Sequence, residues 1–141
     1  MKTFEYPLRI HFGQIDAAGI VFYPRFFEMV NETVETWFRK ELDYSFAAMH
    51  GTLGSGVPTV ELKTKFLKPV RLEQVMTWKL NIVKITDKSV DLKIAGTVDG
   101  TNHVEVESTL VHVSIADDGN IKSSPWPDAV REKMLPYMAD A

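Results

Sequence analysis

The sequence predicts an α+β domain, an antiparallel five-stranded sheet wrapped around one long helix. Three observations carry the prediction: a period-two run before residue 13, a helical apolar arc over residues 24–41, and further period-two runs with short turns between residues 60 and 115. Short connections between successive strands require antiparallel pairing, and a single sheet with one long helix to cover is most simply wrapped around it.

The first strand covers residues 3–12, with Phe4, Tyr6, Leu8, Ile10 and Phe12 on one face and Glu5, Arg9 and His11 on the other. Residues 13–23 break every periodicity. Pro24 then suits the first turn of a helix, where its missing N–H removes no hydrogen bond. Over residues 24–41, Phe26, Phe27, Val30, Val34, Trp37 and Phe38 share one arc while Glu28, Glu32, Glu35 and Arg39 lie opposite, so the apolar side is expected to be buried. Glu35 and Arg39 add an i,i+4 pair in the favourable order. A short helical stretch around Tyr44 to His50 leads into Gly51–Gly56, read as a pocket loop.

Four strands follow. Val60, Leu62 and Phe66 alternate with Glu61, Lys63 and Lys65. Met76, Trp78, Leu80 and Ile82 alternate with Thr77, Lys79 and Asn81. A third strand runs through Val90, Leu92 and Ile94, and a fourth from His103 to Ile115. Thr86–Ser89 and Asp99–Asn102 are the expected hairpin turns. In the last strand the apolar phase shifts between Val106 and Val111, which implies a bulge or a segment buried on both faces. Asp117–Asn120 is a further turn, and Pro127–Met138 a closing helix with Val130, Met134 and Leu135 on one side. Such a sheet leaves its other face partly apolar at Trp78, which predicts burial against copies of the chain in a homodimer or homotetramer.

Composition narrows the function. At 141 residues and 45% hydrophobic the chain can bury the core of one domain over 1–141. A net charge of -3 with scattered basic residues argues against a nucleic-acid partner. The absence of cysteine excludes disulfides and thiolate-bound metal, and fits the cytoplasm. Charge at Glu5 and Arg9 interrupts any secretory leader, and no run of about 18 apolar residues suggests a membrane span. Histidines 11, 50, 103 and 112 lack metal-ligand spacing, no Gly-x-Ser-x-Gly elbow occurs, and Gly51–Gly56 lacks the Gly-Lys-Ser/Thr ending of a phosphate loop.

The chemistry points to residues 11–24, His-Phe-Gly-Gln-Ile-Asp-Ala-Ala-Gly-Ile-Val-Phe-Tyr-Pro, an aperiodic loop that delivers the Asp16 carboxylate to the start of the long helix. Helix starts carry unpaired N–H groups and partial positive charge, so amides near Phe22 and Tyr23 suit an oxyanion. A carboxylate there attacks a carbonyl directly or takes a proton from water, and either role transfers an acyl group to water. The competing reading is that Asp16 only caps a turn.

The segment Asp16, Gly19, Ile20, Val21, Phe22, Tyr23, Pro24 resembles the signature of the 4-hydroxybenzoyl-CoA thioesterase family, whose members have the hot-dog fold. Pro58–Phe66 and Asp87-Lys88-Ser89 resemble later strands of that family. The resemblance implies acyl-CoA hydrolysis, with Asp16 catalytic and the Tyr23 backbone amide as polarising donor beside Gly19 and Phe22. It places Phe26, Phe27, Asn31, Val57 and Thr59 along the acyl pocket, which suits an aromatic or short-to-medium acyl group. Lys88 and Ser89 correspond to a region that contacts the nucleotide, with Lys122 and Arg71 as weaker candidates. Coenzyme A enters as part of the substrate, so no cofactor is expected. Where relatives place a second acid two residues before the aspartate, this chain has Gln14, which removes a charge that would raise the Asp16 pKa.

Two other functions compete: a hot-dog hydratase or dehydratase, and a non-catalytic acyl-thioester-binding module. Dehydration asks for a histidine paired with an acid, and the loop supplies an aspartate with no histidine beside it.

Overall fold

The computed structural model describes residues 1–139, so the last two residues of the expected domain lie outside it. In chain order it contains β1 (Phe4–Arg9), α1 (Pro24–Lys40), a short α2 (Phe46–Ala48), β2 (Ser55–Gly56), β3 (Thr59–Phe66), β4 (Val75–Ile85), β5 (Ser89–Val98), β6 (Thr101–Val111), β7 (Val113–Ile115), β8 (Ile121–Ser123) and α3 (Asp128–Met134). Five strands form one antiparallel sheet in the order β1-β4-β5-β6-β3. The sheet packs on α1, the arrangement expected of a hot-dog domain.

Helix α1 begins with Tyr23 as N-cap and Pro24 in the first turn, and ends with Arg39 and Lys40 beside its C-terminal carbonyls, where positive charge is favourable. It buries Phe26, Met29, Val30, Thr33, Val34, Thr36, Trp37 and Phe38, close to the predicted arc. Glu35 and Arg39 form no ion pair among the described residues; the helix carries Arg25–Glu28 at 2.9 Å instead.

Trp78 corrects the expected outer face. It is 0% exposed and lies beneath Phe26, their ring centroids 6.3 Å apart. Met76, Leu80, Ile82, Leu92, Ile94, Val104 and Val106 share this buried face, while Thr77, Lys79, Asn81, Asp91, Lys93, Glu105 and Glu107 make the other one polar. The alternation had the right period, but helix and sheet need the larger aromatic for their own contact.

The turn Asp99-Gly100 joins β5 to β6 with φ of 50° and 79°, the left-handed pair that matches strand twist in a two-residue hairpin. The predicted phase shift in β6 does not exist. Val104, Val106, Ser108 and Leu110 all face inward, and the apparent break arises because one inward residue is a serine and the outward Val111 is apolar. The extra residue of β6 against β5 is His103, skipped between the pairs Gly96↔Val104 and Thr97↔Asn102.

Three other expectations change. Residues 10–14 leave the strand, and Phe12 is 78% exposed on a single helical turn. Leu135 is exposed, and Tyr137 fills the buried position beyond Met134. Gly51–Gly56 is not an open loop: Met49–Leu53 forms a wide helical turn and Ser55–Gly56 pairs with β7 in a small β2-β7-β8 sheet. Gly54 closes that turn at φ 61°, and a Cβ there would lie 3.1 Å from the Ile115 carbonyl oxygen.

Candidate active site

The loop from His11 to Tyr23 is braced by Gln14, the residue that replaces an acid. The Gln14 side-chain oxygen accepts the His11 N–H at 2.9 Å, and the Gln14 backbone carbonyl accepts the Phe22 N–H at 2.9 Å. Asp16 donates its N–H to Ile20 at 2.9 Å, and its Oδ1 accepts the Ala18 N–H at 2.8 Å. Gly19 adopts φ 79°, a conformation that favours glycine. The turn-capping role is therefore real, but it occupies one carboxylate oxygen. Asp16 is exposed, and Oδ2 has no protein partner among the described residues.

The two candidate amides separate. The Phe22 N–H is already engaged by Gln14, which corrects the expectation that it could hold an oxyanion. The Tyr23 N–H, at the head of α1, has no protein acceptor among the described residues. Tyr23 is 58% exposed, and its ring meets Phe22 and Phe66 edge-on with centroids 5.6 and 6.0 Å away.

Phe66 also meets Phe26 at 6.0 Å and Phe27 at 6.2 Å, joining the loop to the helix. Sequence reasoning counted it only as a strand residue. Its signal was an aromatic at the end of an alternating strand, but its aromatic neighbours come from the loop and from α1.

A cavity of about 470 Å³ opens between α1, β3, β6 and the β2-β7-β8 sheet. Phe27, Asn31, Val57 and Thr59 line it, with Val30, Val34, Phe46, His50, Ser108 and Leu110 among the rest, whereas Phe26, expected beside them, is buried against Trp78 and is not on this wall. Sequence reasoning missed the part played by His50, Ser108 and Leu110, which reach the cavity only through folding. Asp16, Gly19, Phe22 and Tyr23 stand outside its wall and connect to it through Tyr23, Phe66 and Phe27.

Lys88 and Ser89 lie on the β4–β5 hairpin, where Ser89 pairs with Val111, whereas Phe66 pairs with Val104. Seven residues of β6 separate those pairs, roughly 23 Å of strand. One protomer thus does not bring Lys88 to Asp16. Arg71 is nearer to the loop, since it bridges Ile20. Lys122 is exposed on β8.

The backbone of Lys88 has a structural duty: its carbonyl accepts the His112 N–H at 2.7 Å. His112 is 4% exposed, its Nδ1 2.9 Å from the Ser124 carbonyl oxygen and its Nε2 2.8 Å from the Tyr44 hydroxyl, which lies 2.7 Å from Ser55 Oγ. A carbonyl only accepts, so Nδ1 carries the proton, Tyr44 donates to Nε2 and Ser55 donates to Tyr44. Burial lowers the His112 pKa, opposed in part by the Ser124 carbonyl. The unfolded chain then binds a proton that the folded chain resists, so the stabilisation is complete above about pH 6.5 and is lost as pH falls through the lowered folded value. Thermal unfolding followed from about pH 7.5 to 5 is expected to show a falling Tm, with a shallower slope for His112→Gln. Equal slopes would remove His112 as the cause.

An antiparallel sheet wrapped on one helix, with a carboxylate loop at the helix start and an apolar cavity along its side, defines a hot-dog domain. The Thioesterase-like superfamily matches residues 10–134, and the chain belongs to that family. A gentisyl-coenzyme A thioesterase is similar over 90% of this chain and 98% of its own, with 27% identity and a TM-score of 0.79. A 1,4-dihydroxy-2-naphthoyl-CoA thioesterase from Synechocystis is 19% identical over 95% of this chain and 96% of its own, with a TM-score of 0.80. A Staphylococcus aureus protein solved in complex with CoA is 18% identical over 96% of this chain and 84% of its own, with a TM-score of 0.87. At 19% and 18% identity these last two likenesses show the fold alone. No curated protein sequence matches the chain. Among the described residues no helix is long and apolar enough to cross a membrane, and no cluster of His, Cys, Asp or Glu is arranged to hold a metal ion.

Proposed function

We propose that the chain hydrolyses acyl-coenzyme A thioesters in the cytoplasm, as a thioesterase of the 4-hydroxybenzoyl-CoA type with Asp16 as its catalytic carboxylate. The observation that carries this reading is the head of α1, where an Asp16 oxygen and the Tyr23 N–H both lack protein partners among the described residues on one exposed loop. The Tyr23 N–H polarises the thioester carbonyl and holds the oxyanion. Where Asp16 takes a proton from the attacking water, collapse of the tetrahedral intermediate breaks the C–S bond and gives the acid directly; where Asp16 attacks the carbonyl carbon, the same collapse leaves an acyl–aspartyl anhydride that water then hydrolyses, freeing Asp16. Coenzyme A leaves as thiolate and the acyl group leaves as carboxylic acid, with no further cofactor.

The acyl group occupies the cavity of Phe27, Asn31, Val57 and Thr59, whose size and largely apolar wall suit an aromatic or medium-length chain. The likeness to a gentisyl-coenzyme A thioesterase supports a coenzyme A ester of this kind. Dehydration is disfavoured because His50 shares the cavity wall with no Asp or Glu.

Strand β3 is an edge of the sheet, with Val60, Leu62 and Phe66 exposed beside the cavity and the loop. A second copy of the chain covers this edge, in a homodimer or homotetramer.

Release of free coenzyme A from a panel of aromatic and aliphatic acyl-CoA esters tests the reaction. Turnover of any member supports it, and silence across the panel overturns it for coenzyme A esters. Lys88 is exposed on its hairpin and distant from Asp16 within one protomer, so it meets the nucleotide phosphates of a substrate bound at the loop of a second copy, and Lys88→Ala is expected to raise KM with kcat little changed. The backbone carbonyl that holds His112 is retained in that variant, and a defect confined to kcat would contradict the assignment.

A further inference from the structure

Residues 14–16 and 20–22 run side by side as a miniature antiparallel ladder. Phe22 donates its N–H to the Gln14 carbonyl at 2.9 Å, Ile15 bridges Val21, and Asp16 donates its N–H to the Ile20 carbonyl at 2.9 Å. The Gly19 N–H, 3.0 Å from the Asp16 carbonyl oxygen, closes the turn between the two arms. The ladder docks on the segment before β4, through the Val21 N–H to the Val70 carbonyl at 2.8 Å and the bridge from Ile20 to Arg71. Asp16 stands at its closed end. Tyr23, one peptide beyond Phe22, stands at its open end, so the ladder sets where the carboxylate lies relative to the free N–H.

A side chain ties down each end. At the closed end Asp16 Oδ1 accepts the Ala18 N–H at 2.8 Å, and at the open end the Gln14 side-chain oxygen accepts the His11 N–H at 2.9 Å. The Gln14 N–H returns to the His11 carbonyl at 3.0 Å, and the neighbouring Ile10 exchanges backbone bonds with Glu73 and Gln74 at 2.9 Å each. Gln14 therefore fastens the open end of the ladder to the segment that leaves β1.

The fold does not depend on that fastening. Val21 and Val70 are buried and hold the loop from below, while His11 is exposed, so its N–H bonds to water when no glutamine is there. Chemistry is less tolerant, because a misplacement of about 1 Å can cost about 10²-fold in rate.

Resting on the thioesterase reading, we propose that Gln14 is a positioning residue, whose side-chain oxygen holds the open end of the loop and so fixes the Tyr23 N–H against Asp16 for attack on the thioester. The position needs only an acceptor, so a carboxylate serves as well as an amide.

The test is steady-state hydrolysis, at pH 8, of the acyl-CoA ester that wild type turns over fastest, by wild type, Gln14→Met and Gln14→Glu, with thermal unfolding of each. Methionine keeps the length of the side chain and is a weak acceptor. Gln14→Met is expected to lose kcat by about 10–100-fold, with KM within about threefold and Tm within about 3 °C of wild type. Gln14→Glu keeps the acceptor oxygen and is expected to hold kcat within about threefold of wild type. Full kcat in Gln14→Met, a defect confined to KM, equal losses of kcat in both variants, or a larger fall in Tm would each overturn the inference and leave the thioesterase reading standing. A wild type that turns over no ester overturns that reading and the inference with it.

Discussion

Asp16→Asn is expected to fold normally and to lose turnover by about 10²–10⁴-fold, the scale of a positioned acid–base group. The loop explains why the folded state is spared. An amide oxygen at Oδ1 still accepts the Ala18 N–H, and the backbone bonds of Asp16 to Gly19 and Ile20 do not involve the side chain. What disappears is the charge at the other oxygen, which can neither attack a carbonyl nor accept a proton from water. Asp16→Ala would be harder to interpret, because it would also break the turn. Coenzyme A release from the ester panel, with wild type and Asp16→Asn side by side, decides the matter, and retained turnover would remove Asp16 from the mechanism.

Trp78→Ala is expected to destabilise the protein by about 3–5 kcal/mol, a large part of the roughly 5–15 kcal/mol that holds a domain of this kind together. The indole lies against Phe26 on one side. On the other, a Cβ added to Gly96 would fall 2.8 Å from the Trp78 ring, so the strand beside it is shaped to the indole. Removing it leaves a cavity between sheet and helix that neither can collapse to fill. Denaturant midpoints measure the effect. A loss under about 1 kcal/mol would return Trp78 to the outer face, because exposed substitutions usually cost little.

Trp78 also shows where sequence reasoning stopped. The period-two run from Met76 to Ile82 placed Trp78 on the same face as Leu80 correctly, yet the pattern does not say which face meets the helix. The β6 serine misled for a related reason. Ser108 interrupts an inward run, so the local pattern read as a shift of phase, and only pairing with Leu62 and Leu92 restores the register. The small β2-β7-β8 sheet was not legible either, because its strands are two or three residues long and exist through contacts across the chain. At the site, the loop motif pointed to Asp16 and Tyr23, and of the residues expected along an acyl pocket Phe27, Asn31, Val57 and Thr59 share one cavity wall while Phe26 lies in the core. Phe66 and His50 were read only as members of a strand and a short helix, because the neighbours that bring them to the site come from distant elements.

What the sequence determined by itself was the kind and order of the elements: a long helix begun at Pro24, strands phased at period two, hairpins at Asp99-Gly100 and Thr86–Ser89, and one aspartate on the loop that enters the helix. These follow from interactions among residues a few positions apart, where backbone geometry and alternation of polarity suffice. The tertiary structure alone decided that Trp78 faces inward, that the Phe22 N–H is taken by Gln14 while that of Tyr23 is not, and that Ser108 lines a cavity. Each of those depends on which distant groups compete for one face or one hydrogen bond, and that competition is settled only when the sheet closes on the helix.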